Sequence, residues 1–406
     1  MVKMHKKNYF LKIFFIFFSI FSLIKIYDHS INLETFQYGE WLINYQYGFV
    51  RRGIIGELIY SLSLFFGGNI QISFFIILSI FCLFYYLLNY RLLKNVKLNF
   101  INYLILFSPL FYLFFIVISK VGIRKEIIFY IYYLSYLIYL SSSKFTFKKN
   151  WIYIFLYPIL LLNHEGVYFF LPYIILPLLF LKYKKNYKKI LFQSIILFIF
   201  STSIMILIYI NKGSYDHTIQ ICQSLGEYAP HKCDWWGPII ALSREPLVNI
   251  ENVNMNFFYL KASLITWFGF LFYIIYSFAP LILFFYFCKK NYKNIVLYVL
   301  FYILVLLFSL PLFHIAEDWS RWFSIHFHLL AFLVFFFQRL GFFTITKNSI
   351  FFKFENFFMN GVGKICFIFF LFIYSTVLHH HYFFFKGVKL ESTYYKVFNK
   401  LKKNSN

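Results

Sequence analysis

The segment Tyr45-Gln46-Tyr47-Gly48-Phe49-Val50-Arg51-Arg52-Gly53 sets two guanidiniums side by side between two glycines. A guanidinium forks onto phosphate or carboxylate through parallel N–H groups. Two together suit an anionic group, and Gly48 and Gly53 leave room for the backbone to come close. Anchoring to lipid headgroups is the plainer reading of the same pair. Gly122-Ile123-Arg124-Lys125-Glu126 repeats the theme in a tight turn, where an internal ion pair would also serve. His164-Glu165 interrupts an apolar stretch, and a His beside a carboxylate is a candidate acid–base pair. Arg244-Glu245 follows Trp235-Trp236, rings on which a sugar could stack. His314-Ile315-Ala316-Glu317-Asp318-Trp319-Ser320-Arg321-Trp322 gathers carboxylates, an arginine and two indoles in one short run. His326 and His328, just beyond, read as buried and hydrogen-bonded rather than as ligands. The run His379-His380-His381 carries no assignment.

The elements that must position these groups are membrane helices. Of 406 residues, 61% are hydrophobic, 26% aromatic and 13% charged, with mean hydropathy +0.69. Soluble chains carry about 25% charged residues. The composition excludes a water-soluble enzyme, a disordered protein and a nucleic-acid-binding domain. The net charge of +24 falls in clusters between apolar runs, as basic residues do in multi-span chains. A crossing takes roughly 17 to 25 apolar residues. Candidates are 9–27, 70–90, 99–119, 127–142, 190–210, 263–287, 295–314, 322–338 and 365–380, with 151–181 folding as two short helices that meet at Asn163-His164-Glu165-Gly166. The expectation is an all-α, polytopic transmembrane helical bundle of about 11 spans in a single integral membrane domain, 1–406. Residues 28–69 form a first outer loop, in which 54–67 is a re-entrant or interfacial helix. Residues 211–262 form a large outer loop, and 381–406 a basic C-terminal tail.

Counting crossings alternately from a cytoplasmic N-terminus puts the basic loops near 91–97, 144–149, 182–189 and 289–293 inside. It puts every acid but Glu355 outside. The first span follows a basic start with no small-residue cleavage site, so it reads as a retained anchor. The tail falls outside despite its lysines, and one span more or fewer near 341–364 would reverse it. Arginine runs against this bias. There are 7 Arg and 32 Lys, and Arg51, Arg52, Arg124, Arg244 and Arg321 all fall outside, with only Arg91 and Arg339 inside. An outward cavity for an anionic group follows, with phosphate or pyrophosphate of a carrier lipid as its ligand.

Cys222 and Cys233 share the large outer loop, where a disulfide suits an oxidising exterior. Cys82, Cys288 and Cys366 lie in or beside spans, as small apolar groups. No zinc-type spacing appears, so neither metal nor cofactor is expected.

The layout, with Gly48-Phe49-Val50-Arg51-Arg52-Gly53, Arg124-Lys125-Glu126 and Asp318-Trp319-Ser320-Arg321-Trp322, resembles bacterial O-antigen and capsule polysaccharide polymerases of the inner membrane. The arginine-then-distant-glycine pattern of those loops is not found after Arg51, Arg52 or Arg124. The resemblance implies polymerisation of undecaprenyl-pyrophosphate-linked repeat units at the periplasmic face. The implied partners are the lipid-linked glycan, the bilayer and other proteins of envelope glycan assembly. In that picture Arg51, Arg52, Arg124 and Arg321 clamp the departing pyrophosphate, with Arg244 and Trp319 beside the substrate, and His164, Glu165 or Asp318 is the base. Two other classes stand beside it. One is a many-span glycosyltransferase using a polyprenyl-phosphate sugar, with Asp28, Glu34 or Glu40 as its carboxylate. The other is a transporter or lipid-glycan flippase built on the break in 151–181.

Overall fold

The computed structural model describes residues 9–32, 36–112, 123–231, 233, 237–243, 264–288, 292–315, 319–343 and 349–376. Among these residues the regular elements are helical and no strand occurs. In chain order they are α1 (Tyr9–Ile31), α2 (Phe36–Trp41), α3 (Ile54–Phe65), α4 (Ile70–Leu93), α5 (Phe100–Leu106), α6 (Glu126–Leu140) and α7 (Phe147–Asn163). There follow α8 (Pro172–Ile210), α9 (Tyr215–Leu225), α10 (Leu264–Phe287), α11 (Tyr292–Ile315), α12 (Trp319–Arg339), α13 (Ser349–Met359) and α14 (Gly361–Thr376). Two compact units result. One comprises Met1–Lys94, Gly122–Val253 and Leu304–Ile315; the other comprises Asn95–Val121, Asn254–Ile303 and Ala316–Asn406.

In the first unit α1 shows why these helices belong in lipid. Leu11, Phe14, Phe15, Phe18, Ser22 and Ile26 are buried at helical spacing against α4, with Ser22 Oγ and Tyr86 Oη sharing a hydrogen bond of 2.8 Å. On the other side Ile13, Ile16, Phe17, Ile20 and Ile24 are exposed. An apolar face of that length is costly in water and matches a hydrocarbon layer of about 30 Å.

Five helices among the described residues are long and apolar enough to cross: Tyr9–Ile31, Ile70–Leu93, Asn186–Ile210, Trp267–Phe287 and Trp319–Arg339. A sixth arises if the pair Phe352–Phe358 and Gly361–Ser375, bent by 87°, counts as one. The chain is therefore a helical membrane protein, but the expected count of about 11 spans is not what these helices supply. Length is the reason. Helix α6 (Glu126–Leu140), the apolar part Glu165–Phe180, parted from the rest of α8 by a break at Asn186, and the apolar part Val299–Phe313 of α11 run only 10–17 residues. At 1.5 Å per residue such helices reach about 15–26 Å, short of the hydrocarbon thickness. Within the stretch 99–119, α5 ends at Leu106 and the chain turns at Phe107–Phe111; 113–122 lies outside the described residues.

The apolar stretch 151–181 does fold as two helices meeting at a turn. α7 stops at Asn163, and His164 is extended with φ −159°. A 3-10 turn, Glu165–Phe170, then leads to Pro172 at the start of α8, where no N–H is needed. The break is pinned by Tyr157 Oη, which donates to Val167 O at 2.7 Å, and by Tyr133 Oη of α6, which donates to Tyr173 O at 3.3 Å.

α3 is a 12-residue helix that ends before Gly67 and Gly68, both with positive φ. Of the large loop, 211–231, 233 and 237–243 are described. They hold α9, the 3-10 turns Gly226–Tyr228 and Ile240–Leu242, and a disulfide between Cys222 and Cys233. Residues 244–262, and the tail 381–406, lie outside the described residues.

In the second unit α12 is enclosed along nearly its whole length. His326 and His328 are fully buried, and His328 Nδ1 donates to Ser324 O at 2.8 Å. Asn102 Nδ2 donates to Gln338 Oε1 at 2.7 Å and ties α5 to the end of α12.

The first turn of α3 rests directly on the backbone of 41–43. A Cβ on Gly56 would collide with the carbonyls of Ile43 and Trp41. Gly56→Ala should therefore destabilise the protein by about 1–3 kcal/mol, as overpacking does. The drop is measurable as a lower thermal midpoint in detergent, while Gly68→Ala, which meets open space but keeps a strained φ, should cost less.

Candidate functional site: an arginine–carboxylate cluster

Four segments of the first unit bring charge together. α2 contributes Glu40, the turn before α3 contributes Arg51 and Arg52, and the start of α6 contributes Arg124, Lys125 and Glu126. The break after α7 contributes His164 and Glu165. The turn itself is unusual. Arg52 has φ +66° and is the positive-φ residue other than glycine among the described residues. A left-handed conformation costs a side-chain-bearing residue about 1–2 kcal/mol, so its surroundings must hold it there.

Those surroundings are largely Glu165. Arg52 Nε donates to both carboxylate oxygens, at 3.0 and 2.8 Å, and Nη2 donates to Oε1 at 2.6 Å. Arg51 Nη1 reaches the same Oε1 at 3.4 Å, while its Nη2 donates to Ala241 O at 2.7 Å. That carbonyl belongs to the 3-10 turn of the large loop. Arg51 Nε is buried and makes no hydrogen bond among the described residues. Burial alone would raise the Glu165 pKa, but the charge and hydrogen bonds of Arg52, then Arg51, hold it well below the usual carboxylate range. Burial lowers the Arg51 pKa, the charge of Glu165 opposes this and that of Arg52 adds to it. Arginine remains a cation throughout. Side-chain exposures of 12% for Arg51, 22% for Arg52 and 16% for Glu165 leave this group an open edge.

Behind it lies a sealed layer. Glu40 is fully buried and Arg124 is 2% exposed. Arg124 Nε stands 2.6 Å from Glu40 Oε2, and Nη2 donates to Oε1 at 3.1 Å. Phe36 lies under that guanidinium at 5.1 Å. Arg52 Nη1, 4.0 Å from Glu40 Oε1, joins the two layers. Lys125, fully buried, donates from Nζ to the Arg52 carbonyl and lies over the Trp41 ring at 5.9 Å. Asn163 Nδ2 donates to Lys125 O at 3.2 Å, and Trp41 Nε1 to Ile123 O at 2.8 Å.

The geometry redirects several expectations. His164 is 2% exposed, its Nδ1 accepts the Gly166 N–H at 3.0 Å, and its Nε2 lies 3.6 Å from Glu126 Oε1. It caps the 3-10 turn and faces the sealed layer rather than the open edge, so it is poorly placed as a base for substrate. Arg124 holds Glu40, so it is no free clamp. Arg321 and Trp319 belong to the second unit. There the Trp319 ring packs on Trp267 and Phe270 at 5.7 and 5.9 Å, and the Arg321 guanidinium lies 5.1 Å from the Trp322 ring centre. Arg244 and Asp318 lie outside the described residues. Among the described residues no three His, Cys, Asp or Glu side chains group as metal ligands.

Three members went unassigned in the polymerase reading, Glu40, Lys125 and Glu126. The signal for the first two was available. Glu40 sits between Tyr38 and Trp41, and Lys125 falls between an arginine and an apolar helix; a charge in such company needs a distant partner.

No family model, curated protein or solved structure matches the chain.

Removing one partner of an enclosed ion pair leaves the other charge stranded, at about 3–5 kcal/mol. Glu40→Ala and Arg124→Ala should each lower the thermal midpoint strongly. The double variant should fall well short of their sum, a coupling of neighbours that a double-mutant cycle in detergent measures directly.

Proposed function

We propose that the chain is an inner-membrane enzyme of envelope polysaccharide assembly. In this reading it polymerises oligosaccharide units carried on undecaprenyl pyrophosphate, with the Arg51–Arg52 turn as its pyrophosphate holder. The observation that carries the reading is the open edge itself. Two adjacent guanidiniums converge on one carboxylate, part of their surface is accessible, and behind it the buried Arg51 Nε has no acceptor among the described residues. Glu165 occupies the place that an anionic group of substrate would take.

That arrangement supplies a sequence of events. Pyrophosphate oxygens take up the guanidinium N–H groups and loosen Glu165. A carboxylate that loses cationic partners rises in pKa, so Glu165 becomes able to accept a proton. The acceptor sugar hydroxyl passes its proton to Glu165, and its oxygen bonds to the anomeric carbon of the donor chain. The bond from that carbon to the pyrophosphate oxygen breaks, and Arg51 and Arg52 stabilise the charge that leaves. The N-terminus is cytoplasmic in this reading and the cluster faces the periplasm. The finer topology of about 11 crossings requires the shorter helices to cross as well, where the bilayer thins to meet them.

The glycosyltransferase reading would place its chemistry at Asp28, Glu34 or Glu40. Glu40 is fully buried and held by Arg124, Asp28 is exposed on α1 and Glu34 lies outside the described residues, whereas the two guanidiniums converge on Glu165. In cells carrying the intact chain, glycan-ladder gels should show long polymers. Arg52→Ala and Glu165→Gln should each reduce polymer by about 10²-fold, the usual loss for one transition-state donor, and leave single lipid-linked units accumulating. Unchanged ladders at normal protein level would refute the reading. Absence of lipid-linked single units in those variants would point to single-sugar transfer instead.

A further inference from the structure

Lys125 is a cation that the steps above do not use. Its side chain is fully buried and its Nζ donates to the backbone carbonyl of Arg52. That carbonyl belongs to the residue whose φ is +66°. A left-handed residue with a side chain persists only where neighbours over-determine it, and Lys125 is the side chain that fastens its carbonyl. The groups facing Lys125 are Glu40 and Trp41 from α2, Arg52 from the turn, Glu165 from the helix break, and Arg124 next to it in sequence. Glu126 and His164 complete the layer, 3.6 Å apart. With His164 neutral, as an Nδ1 that accepts the Gly166 N–H requires, Arg51, Arg52, Arg124 and Lys125 stand against Glu40, Glu126 and Glu165, so the cluster holds one more cation than carboxylate while Lys125 is protonated and no excess once it is not.

We propose that Lys125 is the positioning residue of the arginine turn, and that binding of a pyrophosphate group at Arg51 and Arg52 is coupled to the proton on Lys125. This rests on the reading of the turn as a pyrophosphate holder. Burial, with the charges of Arg52 and Arg124 and against those of Glu40 and Glu165, pulls the Lys125 pKa down to about 7. The sign of the linkage follows. Between about pH 7 and the ordinary lysine range near 10.4, the unfolded chain holds a proton that the folded chain has released. Folded stability therefore rises with pH across that window. Anion affinity moves the other way, because the excess cation is lost.

The test uses the full chain in detergent, with inorganic pyrophosphate as probe, at pH 6.0 and 8.5. Comparing each variant with wild type at the same pH removes the probe's own titration. Relative to Lys125→Met, wild type should bind at least 10-fold tighter at pH 6.0, and this advantage should shrink toward unity at pH 8.5. Its thermal midpoint relative to Lys125→Met should rise over the same interval. A purely structural lysine would move affinity and stability together. Lys125→Arg, which keeps its charge, should bind with no such pH step. His164→Gln should keep both trends. Equal pH dependence in wild type and Lys125→Met, or loss of both trends in His164→Gln, would overturn the role of Lys125 while leaving the pyrophosphate holder standing. No pyrophosphate binding by wild type at either pH, with the stability trend intact, would overturn the coupling together with the reading beneath it.

Discussion

Charge withdrawn from water must be met by opposite charge and hydrogen bonds, and the first unit is organised around that demand. Glu40, on α2, and Arg124, two residues before α6, are almost wholly enclosed and far apart in sequence. An uncompensated ion there would cost several kcal/mol. Their pairing fixes where α2 stands against the start of α6, and Trp41 Nε1 on Ile123 O repeats the link. With α2 and α6 set, the turn between Leu42 and Gly53 has one course open to it. Gly56 closes that course from the far side, where the first turn of α3 meets the carbonyl of Ile43. The arginines reach Glu165 because the break after α7 is set by its own hydrogen bonds, Gly166 N–H to His164 Nδ1 and Tyr157 Oη to Val167 O.

The cluster is graded in access. Its inner members are closed off and paired, while Arg51, Arg52 and Glu165 keep some exposure. Chemistry in a membrane protein gains from such grading. The sealed layer supplies a fixed field in a medium of low polarisability, and the outer layer is where a ligand can exchange places with a side chain. Arg51 joins the first loop to the large loop and to the break after α7, since one of its nitrogens holds Ala241 O and another faces Glu165. The first loop and the large loop meet elsewhere too. Asn44 Nδ2 donates to Ser224 Oγ at 3.1 Å, and Tyr38 Oη to Tyr228 O at 3.2 Å.

Much of this was legible in residue order, and the failures have physical causes. Arg51, Arg52, Arg124 and Glu165 stood out because arginine is scarce and because acids inside apolar runs are costly. The helix break could be read from Asn163-His164-Glu165-Gly166, since a polar quartet must leave the helix or find partners. Pairing could not be read. Arg124-Lys125-Glu126 invites a local ion pair, yet its members turn to Glu40, to the Arg52 carbonyl and toward His164. Nothing in a linear order says which distant acid an arginine meets. The expected count of crossings exceeds the number of long helices because hydropathy marks apolar stretches, whereas a full-length span also needs one unbroken helix. Residues 126–140 are apolar enough, but their helix is 15 residues long.

The bridge between Cys222 and Cys233 carries a consequence for when the cluster becomes complete. It secures α9 to the strand of chain that runs on to the 3-10 turn Ile240–Leu242, whose middle carbonyl grips Arg51. Thiols stay reduced in the cytosol and are joined after export. The bridge therefore forms only where this segment meets an oxidising compartment. Until it does, the chain that presents the Ala241 carbonyl to Arg51 is held by one covalent link fewer.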